Sequence, residues 1–185
     1  MIRIRKLNNV FPFLLQLLFL SYSIVVLSKE IYIRNNTEFH DLMNIINENQ
    51  NDNELKLYFI DEYYDFSTMS SYNLNINVGT NISIIGSHID GTVFDYNNYS
   101  RGTFRFLYIG LKDETIKFNN IHWKNYDPSN QSNVFLIFIM SEDSHFHMEF
   151  NNCIFYNNSY IISVNAASYL PLGPNSNIIF NHCDF

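Results

Sequence analysis

The stretch IKFNNIHW at residues 116–123 recurs as MEFNNCIF at 148–155 and as IIFNHCDF at 178–185. The copies begin 32 and 30 residues apart, and ISIIGSHI at 82–89 is a weaker earlier copy. Further apolar runs lie between the copies, at residues 103–109, 134–140 and 160–164. Each period therefore holds at least two strands, and a period of this length built from strands indicates a solenoid.

The spacing of apolar residues within the motif predicts a sharp bend at its centre. Inward side chains of a strand recur every two positions, as Ile116 and Phe118 do. Ile121 and Trp123 keep the same period, but the step from Phe118 to Ile121 is three. We predict a bend at residues 119–120 with one residue in the left-handed region, which asparagine tolerates. The same bend is predicted at 151–152 and 181–182, and Trp123 is predicted to lie in the core.

These stacked, bent repeats resemble the right-handed parallel β-helix, or pectin-lyase-like, superfamily. The resemblance covers roughly residues 31–185. It implies an all-β fold, a right-handed parallel β-helix solenoid with a short N-terminal capping α-helix, here preceded by a signal helix. It also implies that asparagines at the bends stack into a ladder, formed by Asn119, Asn151 and Asn181. Many members of the superfamily cleave acidic polysaccharides.

Residues 1–28 are predicted to direct export as a signal peptide. A basic segment containing Arg3 and Arg5 precedes residues 10–27, which are almost wholly apolar, and Ser28 offers a small residue for cleavage. A signal anchor is the alternative, because 18 apolar residues approach the length of about 20 that spans a bilayer. Either interpretation predicts a secreted or cell-surface protein, with membrane contact only if the segment is uncleaved.

Residues 29–53 are predicted to form a strand and a cap helix, and residues 54–185 the β-helix coils. The helix is indicated by apolar residues with helical spacing, which are Phe39, Leu42, Met43 and Ile46. Such a helix would cover the first open edge of the solenoid. The last copy ends in mid-repeat at Phe185 with no comparable cap, which favours a solenoid truncated at its C-terminus.

The charge balance excludes nucleic-acid binding. The chain has 11 Lys+Arg against 18 Asp+Glu, a net charge of −7, and removal of the signal segment makes it about −10. Such a protein has no basic patch to attract a polyanion. Asparagine makes up 28 of the 185 residues, and five Asn-x-Ser/Thr sequons occur. In an exported protein these are candidate glycosylation sites on surface turns, at Asn35, Asn81, Asn98, Asn130 and Asn157.

Cys153 and Cys183 occupy the same position in two successive copies, which places their backbones about 4.8 Å apart. Export permits a disulfide. Stacked parallel neighbours point the same way, however, whereas the two side chains of a disulfide must converge. Stacked free thiols are therefore favoured, and a disulfide is the alternative.

The residue pattern predicts no catalytic set, no cofactor site and no metal site. A polysaccharide hydrolase needs two suitably spaced carboxylates, and a lyase needs acids clustered around calcium. The acidic residues available show neither pattern, and they are Asp90, Asp95, Asp113, Asp127, Glu142, Asp143 and Glu149. His88 and His122 occupy similar positions in two copies, and we interpret them as part of an outward-facing stripe rather than as ligands.

Tyrosine rings offer a route to function without catalysis, since exposed rings on a β-helix face can stack on sugars. The candidates are Tyr63, Tyr64, Tyr96, Tyr99, Tyr108 and Tyr126. The sequence thus predicts an exported non-catalytic β-helix glycoprotein with a structural, adhesive or glycan-contacting role and no cofactor. Its expected partners are extracellular polysaccharide or other surface proteins. The alternative is a polysaccharide lyase or glycoside hydrolase whose active-site coils lie beyond this piece.

Overall fold

The computed structural model describes residues 28–108, 113–129, 134–142, 146–166 and 177–185. The predicted signal segment, apart from Ser28, lies outside the described residues. A 3-10 turn (Glu38–Asp41) leads into the helix α1 (Leu42–Glu48). The strands in chain order are β1 (Ser28–Ile33), β2 (Glu54–Phe59), β3 (Tyr63–Asp65), β4 (Asn73–Val78), β5 (Asn81–Gly86), β6 (Thr92–Asp95), β7 (Thr103–Tyr108), β8 (Thr115–Asn119), β9 (Ile121–Lys124), β10 (Ile137–Ser141), β11 (His147–Asn151), β12 (Ile154–Tyr156), β13 (Ile162–Ala166) and β14 (Ile178–Asn181). No helix in the described part of the chain is long and apolar enough to cross a membrane.

The strands form three parallel sheets, and each coil of the chain adds one strand to every sheet. Within the described ranges, sheet A has the order β1-β2-β5-β8-β11-β14, sheet B the order β3-β6-β9-β12, and sheet C the order β4-β7-β10-β13. Successive strands from β2 onward visit A, B and C in turn through about four coils. The predicted all-β parallel solenoid with one short helix near its N-terminal end is confirmed. Its right-handedness stays a prediction.

The repeats stack in the predicted frame. In sheet A, Phe150 pairs with Phe118 on one side and with Phe180 on the other, and Ile84 continues this column opposite Phe118. The rings of Phe150 and Phe180 lie parallel with centroids 4.8 Å apart. Trp123 is fully buried, as predicted, and stacks on Phe155. Phe118, Phe150, Trp123 and Phe155 are buried, and burial of each such ring contributes about 1.5–3 kcal/mol, so these columns of stacked side chains supply much of the stability.

The predicted equivalence of His88 and His122 is wrong. The register of the copy at 82–89 holds as far as Ile85, which lies opposite Asn119. The second coil then carries extra residues before β6 begins, so Val93 lies opposite His122. The core columns survive the insertion because β6 restores the pairing with β9.

The predicted bends are present in the backbone. Asn120, Asn152 and His182 have φ angles of 58°, 53° and 53°, in the left-handed region. They separate the sheet A strands from those that follow. A second left-handed corner, which the spacing of apolar residues does not reveal, follows β9 and β12 at Asn125 and Asn157, with φ angles of 57° and 55°. Asparagine is the non-glycine residue best suited to both corners.

The N-terminal helix covers the first coil, as predicted, and it does so partly with side-chain amides. Phe39, Leu42 and Ile46 are buried in the core, and Met43 packs against it. Asn47 Nδ2 donates to the Asn75 carbonyl at 2.8 Å, and the Asn77 N–H donates to Asn47 Oδ1 at 3.0 Å. Gln50 Nε2 donates to the Asn77 carbonyl at 2.8 Å, and the Gly79 N–H donates to Gln50 Oε1 at 2.7 Å. These bonds lie along β4 and the glycine that follows it, at one edge of sheet C.

Candidate functional site

The structure brings the three asparagines of the predicted ladder together on the outer side of the first bend. Asn151 Nδ2 donates to Asn119 Oδ1 at 2.9 Å, and Asn181 Nδ2 donates to Asn151 Oδ1 at 2.8 Å. Asn151 is therefore both donor and acceptor. The chain of amides ties three successive coils along the solenoid axis, so the role of these residues is structural.

A second ladder, which sequence reasoning missed, lies at the other corner. Asn157 Nδ2 donates to Asn125 Oδ1 at 2.9 Å, and Asn125 Nδ2 donates to Asp95 Oδ1 at 3.0 Å. Asn125 and Asn157 are 32 residues apart, the same interval that separates Phe118 from Phe150. That shared interval is the signal that could have found this ladder.

Replacing Asn151 with alanine is expected to lower the free energy of unfolding by about 1–3 kcal/mol. The substitution removes two amide bonds and leaves the amides of Asn119 and Asn181 without their axial partners. Urea unfolding followed by circular dichroism measures the change. Asn36→Ala is the control, because Asn36 is exposed and its side chain makes no hydrogen bond within the described residues. Equal urea midpoints for the two variants would contradict a stabilising role of the asparagine ladder.

The sequon asparagines fall into different environments. Asn81 Oδ1 accepts from the Thr115 N–H at 2.8 Å, so this amide joins two coils, as that of Asn157 does. Asn35 is half-buried, and its backbone N–H donates to Asp61 Oδ2 at 2.7 Å. Asn98 is exposed, and its side chain makes no hydrogen bond within the described residues. Asn130 lies outside the described residues.

The two cysteines are free thiols with equivalent contacts. Cys153 Sγ donates to the Phe118 carbonyl at 3.5 Å, and Cys183 Sγ donates to the Phe150 carbonyl at 3.4 Å. Each thiol therefore bonds to the preceding coil. Burial raises the pKa of the Cys153 thiol to about 12.

Alkylation at pH 8 is expected to modify Cys183 at least ten times faster than Cys153. The thiolate is the reactive species, and Cys153 is buried with a raised pKa whereas Cys183 is only half-buried. Mass spectrometry of iodoacetamide-treated protein over time gives both rates. In 8 M urea the two rates should become similar. Equal rates in the folded protein would contradict the prediction.

The acidic candidates are dispersed. Asp95 belongs to the second ladder, and the Glu149 carboxylate lies 3.1 Å from Lys117 Nζ. Asp113 and Asp127 line separate grooves, and Asp143 lies outside the described residues. The part of the chain that the structure describes contains no group of three or more His, Cys, Asp or Glu placed to hold a metal ion.

The prediction that all six candidate tyrosines are exposed is wrong for four of them. Tyr64, Tyr96, Tyr108 and Tyr126 are buried. The hydroxyls of Tyr64, Tyr96 and Tyr108 donate to the backbone carbonyls of Ile33, Gly102 and His147, whereas the buried hydroxyl of Tyr126 has no hydrogen-bond partner within the described residues. Burial raises the pKa of Tyr64 to about 12. Tyr63 and Tyr99 are exposed, and so is Tyr72, which the sequence analysis did not single out.

Tyr72 and Tyr99 line a groove that combines aromatic rings with charged and amide groups. We call it the Tyr72–Tyr99 groove. It has a volume of about 270 Å³ and is lined by Tyr72, Asn98, Tyr99, Ser100, Arg101, Asp127, Pro128 and Ser129. Tyr72 and Tyr99 are 53% and 59% exposed. The Arg101 guanidinium carbon lies 4.5 Å from the centroid of the Tyr72 ring, a cation–π contact.

Three successive coils build this groove where the chain passes from sheet B to sheet C. The Thr103 N–H donates to the Tyr72 carbonyl at 3.1 Å, and the Tyr99 N–H donates to the Tyr96 carbonyl at 2.7 Å. Arg101 Nη1 donates to the carbonyls of two residues of the first coil, at 3.2 and 3.1 Å. Backbone hydrogen bonds thus hold the loops that carry both rings, and two backbone carbonyls orient the guanidinium.

Two other grooves are larger but chemically plainer. One, of about 380 Å³, is lined by residues 50–53, 79–81 and 113–114 and contains no aromatic ring. The other, of about 320 Å³, is formed largely by Val134, Phe135 and Phe138 beside Arg105. Neither presents exposed rings together with a carboxylate and an amide, so the Tyr72–Tyr99 groove is the better candidate for recognising a ligand.

The protein is thus an all-β parallel solenoid that carries a surface groove lined by aromatic and polar side chains. No family model, no curated protein and no solved structure matches the chain.

Proposed function

We propose that this chain is an exported, non-catalytic β-solenoid glycoprotein that contacts glycans outside the cell through the Tyr72–Tyr99 groove. In this proposal, the resemblance to the pectin-lyase-like superfamily extends to the fold but not to catalysis. The observation that carries the proposal is the combination of two exposed tyrosine rings with the Arg101 guanidinium and the Asp127 carboxylate in one groove.

The chemistry of the groove suits a sugar. A sugar ring has an apolar face of C–H groups and an edge of hydroxyls, so it needs an aromatic surface beside hydrogen-bond donors and acceptors. Tyr72 and Tyr99 supply the surface, and Asp127 and Ser129 supply polar groups. Arg101 uses two of its five N–H groups on backbone carbonyls, so further donors are available to a ligand.

The charge of the protein favours neutral sugars. The net charge of about −10 after removal of the signal segment repels polyuronates at long range, and a single arginine in the groove does not reverse that field. We therefore expect neutral hexose or N-acetylhexosamine oligomers to bind better than oligogalacturonates of the same length.

The test is calorimetric titration of these oligosaccharides into protein produced in a host that adds no N-glycans. Tyr99→Ala is expected to weaken the best neutral ligand at least tenfold, or about 1.4 kcal/mol. Tyr156→Ala is the control, because Tyr156 is 65% exposed but lies outside the groove, and it should change affinity less than twofold. Equal affinities for both variants, or no binding of any oligomer, would refute the proposed site.

Two further measurements test the remaining parts of the proposal. Export by a cleaved signal predicts that N-terminal sequencing of secreted protein starts near Lys29, and a retained first segment would indicate an anchor. The absence of catalysis predicts no new reducing ends or unsaturated products from polygalacturonate or plant-wall polymers. Turnover that one carboxylate substitution abolishes would overturn the non-catalytic assignment.

A further inference from the structure

We propose that Asn98 carries an N-glycan whose first sugars lie in the Tyr72–Tyr99 groove and exclude other glycans from it. The inference rests on the proposed function, since it requires export and a groove that accepts sugars. It makes the groove a regulated site, which is open when Asn98 is bare and closed when Asn98 is modified.

Among the described sequon asparagines, Asn98 combines an exposed side chain with an amide that makes no hydrogen bond. The amides of Asn81 and Asn157 already bond between coils, and Asn35 is half-buried. Asn98 is exposed and its amide makes no hydrogen bond within the described ranges, so a sugar on Nδ2 displaces nothing. The whole sequon, residues 98–100, lines the groove.

The attachment point is held at the groove wall. The Asn98 N–H donates to the Asn125 carbonyl at 2.7 Å, and the N–H of Tyr99 donates to the carbonyl of Tyr96 at the same distance. Asn98 itself has a φ of 62° and follows another left-handed residue, Asn97. This tight turn fixes where the first sugar begins, directly beside the exposed Tyr99 ring.

The modification is a glycosyl transfer from a lipid-linked pyrophosphoryl oligosaccharide, catalysed by the transferase of the secretory pathway. Asn98 Nδ2 attacks C1 of the first sugar, a C1–N bond forms, and the C1–O bond to the pyrophosphate breaks. The lipid pyrophosphate leaves with that electron pair, and one amide proton passes to a base of the transferase. No oxidation or reduction occurs.

A tethered sugar competes strongly with a free one. A short flexible link gives an effective concentration in the millimolar range, which exceeds the free concentration of most oligosaccharides. The groove volume of about 270 Å³ lies just below the usual range for ligand sites, about 300–1,000 Å³, so it has room for one short oligosaccharide at a time. The two ligands therefore exclude each other.

The experiment compares secreted protein from a glycosylating host with its Asn98→Gln and Ser100→Ala variants, which both lack the sequon. Glycopeptide mass spectrometry should find Asn98 occupied in the parent protein. Both variants should bind the best neutral oligosaccharide at least tenfold more tightly than the parent does. Asn35→Gln, which removes a sequon outside the groove, should bind as the parent does. An unmodified Asn98, or equal affinities of parent and variants, would overturn the inference.

A second readout does not depend on a free ligand. Peptide N-glycosidase should release the Asn98 glycan from the native parent at least tenfold more slowly than from Tyr72→Ala, because the ring no longer holds the first sugars. Equal release rates would overturn the inference even if bare protein binds oligosaccharides. If the unglycosylated protein binds no oligosaccharide, the proposed function fails. Slow release of the Asn98 glycan that depends on Tyr72 would still support the inference, because the groove would then hold only the protein's own glycan.

Discussion

Replacing Gly86 with alanine is expected to lower the free energy of unfolding by about 3 kcal/mol or more. A Cβ at this position would lie 2.2 Å from the Asn120 carbonyl oxygen and 2.8 Å from Thr92 Cβ. The Asn120 carbonyl also accepts from the Thr92 N–H at 3.1 Å, and Asn120 stands at a left-handed bend. Because the obstacle is the backbone of the next coil, no side-chain rotation relieves the clash.

Urea unfolding of Gly86→Ala measures the cost, with Gly79→Ala as the matched control. A Cβ at Gly79 would meet only Gln50 Oε1, at 3.6 Å, and the Gly79 N–H remains available to that oxygen. The control should stay within about 0.5 kcal/mol of the parent protein. Loss of less than about 1 kcal/mol in Gly86→Ala would show that the coils can separate at this corner, and would contradict the close approach described here.

The stacking of the core could be predicted from sequence because in-register parallel strands repeat the same side chains. Phe118 and Phe150 recur at the period of the coil, so their pairing follows from spacing alone. The left-handed bends could be predicted for a related reason, since the alternation of inward residues slips by one at each bend. Both signals are local or strictly periodic, and neither depends on loop conformation.

The inward direction of Tyr126 could not be predicted in this way. Tyr126 follows the buried Trp123 by three residues, and the left-handed corner at Asn125 turns its ring into the core. Tyr96, in contrast, continues the alternation of Thr92 and Phe94, but the weaker copy at 82–89 ends before β6 and does not reveal that frame. The insertion after Gly86 likewise moves His88 out of register with His122, because the loop between β5 and β6 holds residues that the bend between β8 and β9 lacks. Counting in twos fails wherever the backbone leaves the strand.

The candidate groove escaped sequence reasoning for the same reason. Tyr72, Tyr99 and Asp127 come from three coils, at intervals of 27 and 28 residues that differ from the 32 and 30 of the core motif. Loops of unequal length bring them together at the passage from sheet B to sheet C. Tyr99 could be proposed as exposed, but its partners Tyr72 and Arg101 could be identified only from the folded coils.

Strand β4, at one edge of sheet C, shows how this solenoid protects an open sheet edge. An exposed parallel edge presents unpaired N–H and C=O groups that another chain can join. Along β4, the amides of Asn47 and Gln50 each donate to one carbonyl and accept from one N–H, as a neighbouring strand would. The helix α1 and the residues that directly follow it thus contribute both apolar cover and a substitute for strand pairing. These two side chains are polar residues of an Asn-rich tract, which sequence alone does not distinguish from their neighbours.

The double substitution Asn47→Ala and Gln50→Ala is expected to lower the free energy of unfolding by about 2–4 kcal/mol. Four hydrogen bonds are lost, each worth about 0.5–1.5 kcal/mol, while water partly replaces them because the site is exposed. The freed edge of β4 should also pair with other chains, since nothing else in the described residues bonds to its outer side there. We therefore expect the apparent mass of the variant to rise with protein concentration.

Urea unfolding and light scattering after size-exclusion chromatography measure the two effects separately. Asn44→Ala with Glu48→Ala is the matched control, because both residues lie on the exposed side of α1 and neither bonds to β4. This control tests whether helix stability alone explains the result, since alanine favours the helix at both positions. Loss of stability without association would assign the amides to packing of the cap. Association without loss of stability would assign the two amides to protection of the edge. If the variant shows neither effect, β4 needs no substitute partner.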